Sequence, residues 1–171
     1  MDLDSDGQLV DKSYYEAVSP AYLCRKGSCI YAVIENADFG GVQVFDVNKN
    51  GSLTAKARLD TEDVYSTYIS AEKRGNRIFV ANYGTPSCAV YRYEAEKLVQ
   101  ESVLREKKTE KSHIHCAALT PEEAYVCLVD VGTDEILVYA ADSLELVDTV
   151  KFRKGVGQDI SCFRRKALMP M

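Results

Sequence analysis

The feature of this sequence that most limits its fold is an internal repeat. Apolar runs that read IYAV, IFVA and VCLV begin at residues 30, 78 and 126, so both intervals are 48 residues. A second apolar run follows each of them, and it contains Val44-Phe45, Val90-Tyr91 and Val138-Tyr139 in turn. Similarity at a fixed period of this length is typical of folds built from one repeated supersecondary unit.

Each repeat is predicted to contain four short strands, because runs rich in β-branched and aromatic residues alternate with turn residues. In the third repeat these strands span Ile114 to Leu119, Ala124 to Asp130, Glu135 to Tyr139 and Leu144 to Phe152. Helical periodicity is absent. Four antiparallel strands in 48 residues is the period of a β-propeller blade, so the chain is predicted to be all-β.

The length of 171 residues predicts a single, incomplete propeller domain. A closed propeller needs four to eight blades, and this chain supplies about three and a half. An open ring leaves strand edges exposed, which predicts self-association through the open blade edges. The predicted parts are the fourth strand of a preceding blade near 8–16, blades near 19–60, 64–105 and 112–152, and a truncated or altered blade start at 155–171.

Composition excludes several classes of partner. The net charge of −5 disfavours nucleic acid and anionic membrane surfaces. No apolar run approaches the roughly 20 residues that a membrane span needs. The acidic N-terminus does not look like an export signal. Six cysteines without a CxxC pair favour reduced thiols and a cytoplasmic location over a disulfide framework or a zinc site.

Three stretches carry a resemblance to a known family. They are Arg77 to Gly84 (RIFVANYG), Ser112 to Cys116 (SHIHC) and Asp130 to Tyr139 (DVGTDEILVY). Their succession in consecutive repeats resembles the seven-bladed β-propeller lactonase family, whose bacterial cytoplasmic members include 6-phosphogluconolactonase. The resemblance implies hydrolysis of a sugar lactone in the pentose phosphate pathway, with a small-molecule substrate and no cofactor.

The start of the fourth repeat departs from that family. A strand of this kind opens there with Gly-Pro-Arg-His in the family, whereas Gly157 to Ile160 reads GQDI in this chain. The arginine that the family directs towards its site is therefore missing from this position.

The strand directions place the candidate site residues on one face. Glu35, Asn82 and Asp130 follow the second strand of their repeats, and His113 and His115 lie where the first strand of the third repeat begins. In an antiparallel blade these two kinds of position fall at the same end. The first strand is also the innermost strand of a blade, so these residues are expected near the mouth of the central channel, where a small ligand would bind.

Lactone hydrolysis needs a base for the attacking water and donors for the oxyanion. Histidine, with an ordinary pKa near ~6.5, suits the first task, and we predict His115 as the base. Glu35 is predicted to orient it or to act in its place. Asn82 is predicted to donate to the oxyanion or to sugar hydroxyls, and His113 and Asp130 to contact substrate. The resemblance supports His115 in particular.

Plainer interpretations remain open. A histidine at the start of an inner strand is often only a polar cap on the channel, and Glu35, Asn82 and Asp130 are residue types that form local turns. The His113-Ile114-His115 spacing suits metal ligands, but no third ligand is evident, so no metal is predicted. The alternatives to an enzyme are a non-catalytic propeller binding module and an inactive fragment of a lactonase.

Overall fold

A computed structural model of the chain describes residues 2–3, 5–10, 14–104 and 109–153. All the regular elements in this part are β-strands, arranged as three four-stranded antiparallel sheets and one two-stranded sheet. Neighbours in each sheet are consecutive in sequence, so each four-stranded sheet is a simple meander. The all-β fold predicted from the repeat is confirmed, and the chain is a partial β-propeller.

The four-stranded sheets are the blades. Blade 1 comprises β3 (Leu23–Lys26), β4 (Cys29–Val33), β5 (Gly40–Val47) and β6 (Leu53–Thr61). Blade 2 comprises β7 (Ser66–Ala71), β8 (Arg77–Asn82), β9 (Ser87–Glu94) and β10 (Lys97–Leu104). Blade 3 comprises β11 (Ile114–Leu119), β12 (Tyr125–Asp130), β13 (Glu135–Ala140) and β14 (Leu146–Lys151).

The first residues of the chain form a short hairpin. Strand β1 (Asp2–Leu3) pairs antiparallel with β2 (Leu9–Val10). Residues 14–16 follow without strand structure. Within the predicted fourth strand near 8–16, the described residues Leu9–Val10 form a strand and residues 11–13 lie outside the described part. The predicted blade start at 155–171 also lies outside the described residues.

The core lies between the blades. Since side chains of a strand alternate between two faces, each blade offers apolar residues to both of its neighbours. One buried cluster joins blade 1 to blade 2 and includes Val44, Ile78 and Tyr91. The other joins blade 2 to blade 3 and includes Phe79 and Leu128. Blade 2 therefore packs on both of its faces, which explains why five of the six residues of β8 are buried.

Hydrogen bonds tie the innermost strands of blades 2 and 3 together. Thr67 Oγ1 donates to the carbonyl oxygen of His115 at 3.2 Å, and Ser70 Oγ donates to that of Ala117 at 2.7 Å. At the far ends of these strands, Lys73 Nζ donates to the carbonyl oxygen of Pro121 at 3.3 Å. Side chains of β7 and of the turn after it thus hold the inner strand of blade 3 and the turn that follows it.

The outer strand β14 presents apolar side chains to solvent. Leu146, Val147 and Val150 in this strand, and Phe152 just after it, are all exposed. Exposed apolar residues on an outermost strand are the surface on which the predicted self-association depends, and that association stays a prediction.

The five cysteines in the described part of the chain are free thiols: Cys24, Cys29, Cys88, Cys116 and Cys127. Burial raises the pKa of Cys24 to about 11, and it also raises the pKa of Cys88 and Cys127. Thiols held protonated in this way are poor nucleophiles. The sixth cysteine, Cys162, lies outside the described residues. No helix in the described part is long and apolar enough to cross a membrane.

Candidate active site

Two β-bulges shape the site. The pairing of β7 with β8 passes from Ser66↔Asn82 directly to Tyr68↔Ala81, so Thr67 is an extra residue. The pairing of β11 with β12 passes in the same way from Ile114↔Asp130 to Cys116↔Val129, which makes His115 the extra residue. A bulged residue leaves the regular alternation of the strand, and bulges commonly redirect a side chain beside a functional site.

These bulges open onto a shared pocket of about 350 Å³. It lies at the end of the sheets where the second strand of a blade ends and the first strand begins. Three blades contribute: Glu35 follows β4 in blade 1, and His115 belongs to β11 in blade 3. Blade 2 supplies the rest of the wall. The lining residues are Glu35, Tyr65, Thr67, Tyr83 and His115.

A second cavity of about 540 Å³ lies between the outer strands β6 and β10. Its wall includes Leu59, Leu98 and Val103 together with the acidic residues Asp60 and Asp63. It contains no histidine and no nucleophilic pair. We therefore take the smaller pocket, which combines an imidazole with a carboxylate, as the candidate active site.

Tyr83 is the aromatic centre of this pocket. Its ring stacks on the imidazole of His113, with centroids 4.2 Å apart and an angle of 8° between the planes. It meets the imidazole of His115 edge to face, at 6.2 Å and 84°. His113 Nδ1 also lies 3.0 Å from the carbonyl oxygen of Tyr83. The three rings form a continuous series, of which Tyr83 and His115 line the pocket.

The backbone of Tyr65 is held in a left-handed conformation, with φ at 53°. Its N–H donates to the carbonyl oxygen of Asn36 at 3.0 Å, and its own carbonyl oxygen accepts from Tyr83 N–H at 2.9 Å. A Cβ on Gly84 would lie 2.8 Å from Cδ2 of Tyr65. A non-glycine residue with positive φ is sparsely populated and often marks a functional segment.

Asn82 lies beneath the pocket and is 1% exposed. Ser66 Oγ donates to its Oδ1 at 2.8 Å, and its Nδ2 donates to Ser87 Oγ at 2.9 Å. These bonds join the ends of β7, β8 and β9. Asn82 does not belong to the pocket lining, and its geometry supports a structural role.

Asp130 holds the equivalent place in blade 3, and none of its surface is exposed. Its Oδ1 accepts from the backbone N–H groups of His113, Gly132 and Thr133 at 2.9, 3.0 and 3.2 Å. Ser112 Oγ donates to its Oδ2. The carboxylate closes the turn after β12 and fixes the approach to β11, as the turn interpretation expects.

The structure thus brings two of the five predicted residues, Glu35 and His115, into one pocket. His113 stacks behind the pocket wall, while Asn82 and Asp130 support it from below. No cluster of three potential metal ligands occurs among the described residues.

Sequence reasoning missed three lining residues, Tyr65, Thr67 and Tyr83. The repeat contained a signal for two of them. Thr67 precedes His115 by 48 residues, and Tyr65 precedes His113 by the same interval. An alignment of the second and third repeats at this interval would therefore have identified Thr67 and Tyr65 as counterparts of the two histidines. Tyr83 is one residue beyond the buried Asn82, and the repeat does not mark it, because the residue 48 positions later is Val131.

Comparison with known families agrees with this geometry. The family described as "Lactonase, 7-bladed beta-propeller" matches residues 2–164. The chain belongs to this family. The resemblance that rested on the stretches RIFVANYG, SHIHC and DVGTDEILVY is therefore confirmed at the level of the family.

Individual relatives are more distant. A protein of Staphylococcus saprophyticus is 29% identical over 168 residues, which cover 90% of this chain and 49% of the relative. The 6-phosphogluconolactonase of Bacillus subtilis is 30% identical over 132 residues, covering 71% of this chain and 38% of that protein. The chain thus spans about half the length, or less, of the curated relatives it matches.

Solved structures show the same relation. A putative 6-phosphogluconolactonase from Bacteroides fragilis superposes with a TM-score of 0.75 at 26% identity, covering 88% of this chain and 49% of that one. The periplasmic gluconolactonase of Pseudomonas aeruginosa gives a TM-score of 0.71 at 22% identity, covering 81% and 44%. The second likeness concerns the fold alone.

Proposed function

We propose that this chain carries a lactonase site that hydrolyses a sugar lactone, with His115 as the base and Glu35 as its carboxylate partner. The observation that carries the proposal is that Glu35 and His115 line one pocket in a chain of the lactonase family. In sequence these residues are 80 positions apart and belong to different blades. An imidazole and a carboxylate in one concave site are the groups that water activation requires.

The proposed reaction begins when His115 takes a proton from water as the water oxygen attacks the acyl carbon of the lactone. The carboxylate of Glu35, which lines the same pocket, is proposed to stabilise the imidazolium that forms by attraction of opposite charges. Phenol hydroxyls on Tyr65 and Tyr83 are the lining donors that the oxyanion can use. The acyl C–O bond then breaks, and the ring oxygen leaves with the proton from His115, which yields the open hydroxy acid.

The substrate we propose is 6-phosphogluconolactone, which the reaction would convert to 6-phosphogluconate in the pentose phosphate pathway. Its support is that the Bacillus subtilis relative is a 6-phosphogluconolactonase. Against it stands the charge of the lining, which includes one carboxylate and no lysine or arginine among the described residues. A phosphate would favour cationic partners. The unphosphorylated glucono-δ-lactone is therefore the necessary comparison substrate.

The test is hydrolysis of both lactones by the purified chain, measured as acid release above the spontaneous rate. His115→Ala is expected to lower kcat/KM by about 100-fold or more, because general-base catalysis contributes roughly 10² to 10⁴. Glu35→Gln is expected to lower it by about tenfold. Glu122→Gln makes the same charge change in an exposed turn at the opposite end of blade 3 and is the control.

A wild-type rate equal to the spontaneous rate for both lactones would remove the enzymatic proposal for this chain. Binding of gluconate without hydrolysis would instead favour a binding module.

A cytoplasmic location is part of the proposal. The absence of a disulfide among the described cysteines supports it, because cysteines remain reduced in that compartment. Fractionation of the source cells, followed by detection of the chain, tests this point. Recovery with the periplasmic or extracellular fraction would contradict it.

A further inference from the structure

The two histidines of this chain have different environments, although they are separated by one residue. His115 lines the pocket. His113 does not, and both observed partners of its imidazole belong to Tyr83: the ring stacks on the imidazole and the carbonyl oxygen lies 3.0 Å from Nδ1. A residue that lines the pocket and a residue that contacts only its wall are expected to have different roles.

The hydrogen bond fixes the tautomer of His113. A carbonyl oxygen can only accept, so Nδ1 of His113 must carry the hydrogen that it donates to Tyr83. This arrangement holds whether or not Nε2 is protonated. The imidazole is therefore held at Nδ1 by the bond and across its face by the stack, which leaves its ring little freedom to turn.

The space for this imidazole depends on a glycine. A Cβ on Gly132 would lie 3.2 Å from Cδ2 of His113 and 1.5 Å from the carbonyl oxygen of Lys111. Below the ring, the backbone N–H of His113 donates to the buried carboxylate of Asp130. The backbone and the ring of His113 are thus both fixed, which is the support that a positioning group requires.

The fixed imidazole of His113 is connected to His115 through the ring of Tyr83. The Tyr83 ring stacks on the imidazole of His113, with ring centroids 4.2 Å apart. It also meets the imidazole of His115 edge to face, with centroids 6.2 Å apart. We propose that His113 is a positioning residue, which holds the Tyr83 ring against His115 and thereby sets the orientation of the His115 imidazole in the pocket. This inference rests on the proposed function for its effect on rate, and on geometry alone for the ring arrangement.

The chain offers an unusually clean test, because it contains only two histidines. In His113→Ala the remaining imidazole signals in an NMR spectrum belong to His115, and in His115→Gln they belong to His113. In the second variant we expect Nδ1 of His113 to give the signal of a protonated ring nitrogen. An unprotonated Nδ1 would overturn the proposal.

In His113→Ala we expect the His115 ring protons to move from their wild-type positions, because the ring current of an ordered Tyr83 is lost. His113→Phe keeps a stacking face without the Nδ1 donor and is expected to restore most of that shift. Tyr83→Leu removes the ring itself and is expected to give the largest change. Tyr125→Leu, an exposed tyrosine at the other end of β12, is the matched control and is expected to give none.

The kinetic arm separates positioning from folding. His113→Ala is expected to lower kcat by about tenfold with KM within about twofold, since a misplaced base slows the chemical step more than it weakens binding. His113→Phe is expected to recover part of kcat. Wild-type His115 signals and wild-type kcat in His113→Ala would overturn the proposal.

Two further outcomes are decisive. If the amide spectrum shows that His113→Ala is unfolded, His113→Phe and Tyr83→Leu decide the question by the same signals. If the wild-type chain hydrolyses no lactone, the proposed function fails while the NMR comparison still supports or overturns the positioning role.

Discussion

Blades 2 and 3 fill the same position with different chemistry. Asn82 ends the second strand of blade 2, and Asp130 ends that of blade 3, 48 residues later. Both side chains are buried. Asn82 bridges two serine hydroxyls, whereas Asp130 accepts three backbone N–H groups and one serine hydroxyl.

The difference shows what a buried charge requires. A carboxylate taken out of water is costly unless several donors face it, and backbone N–H groups of a tight turn supply them without loss of side-chain entropy. Blade 3 provides such donors from Gly132 and Thr133 in the turn after β12 and from His113 just before β11. Blade 2 provides serine hydroxyls, which can donate or accept, so the neutral amide of Asn82 bonds to one as acceptor and to the other as donor.

The largest expected effect compares the glycines two residues further on. A Cβ on Gly132 would lie 1.5 Å from the backbone carbonyl oxygen of Lys111, whereas one on Gly84 would meet side-chain atoms of Val64 and Tyr65 at 2.6 and 2.8 Å. Gly132→Ala is expected to destabilise the chain by about 4 kcal/mol or more, and Gly84→Ala by about 1 to 2 kcal/mol. Urea unfolding measures both. Equal losses of unfolding free energy in the two variants would contradict this difference between the two turns.

Replacing the carboxylate itself comes next. Asp130→Ala leaves buried N–H groups without an acceptor and is expected to cost about 3 kcal/mol. Asp130→Asn keeps one carbonyl oxygen for the three backbone donors, and Ser112 Oγ can accept from the new amide, so the expected cost is about 1 kcal/mol. A loss in Asp130→Asn as large as that in Asp130→Ala would mean that the charge matters more than the bonds. The unfolding midpoint decides between the two.

The reverse exchange probes blade 2. Asn82→Asp places a carboxylate among hydroxyls and is expected to cost about 2 kcal/mol at neutral pH. The group is best tolerated when protonated, so the deficit relative to wild type is expected to shrink as the pH falls and to be greatest at neutral and higher pH. Thermal unfolding between pH 5 and 8 measures this trend. A deficit that is constant over that range would contradict the assignment of a charge cost.

The smallest expected effect concerns the join between the blades. Ser70→Ala removes the 2.7 Å bond to the carbonyl oxygen of Ala117 and is expected to cost about 1 kcal/mol. The exposed Ser143→Ala, in the turn between β13 and β14, is the control and is expected to change stability by less than about 0.5 kcal/mol. Equal effects in the two variants would argue against a role for Ser70 in joining the blades.

The blade architecture was predictable because each strand carries its own apolar pattern. Strand β11 was predicted at the residues it occupies, while β14 begins two residues later than expected because Leu144 has a left-handed backbone, with φ at 59°. Asp130 was expected to form a turn or contact substrate, and the number of donors around it depends on how the segment before β11 passes the end of β12. Alternation along one strand contains no information about such contacts.

The pocket was harder to predict for a related reason. The shared face of Glu35 and His115 follows from strand direction, which the pattern gives. The ring series through Tyr83 depends on how adjacent blades approach each other, and the bulges at Thr67 and His115 add one residue each without any change in composition. A one-residue shift is invisible to a period estimated from apolar runs.

The bulge at His115 places one side chain at the pocket while the strand pairing beyond it stays regular. From Cys116 to Leu119, β11 remains in step with β12 after the bulge. Threonine at the same place in blade 2 leaves an equally regular ladder behind it. A single template therefore carries an imidazole in one copy and a hydroxyl in the next, so that the chemistry offered to the pocket changes from blade to blade while the strand pairing around it is kept.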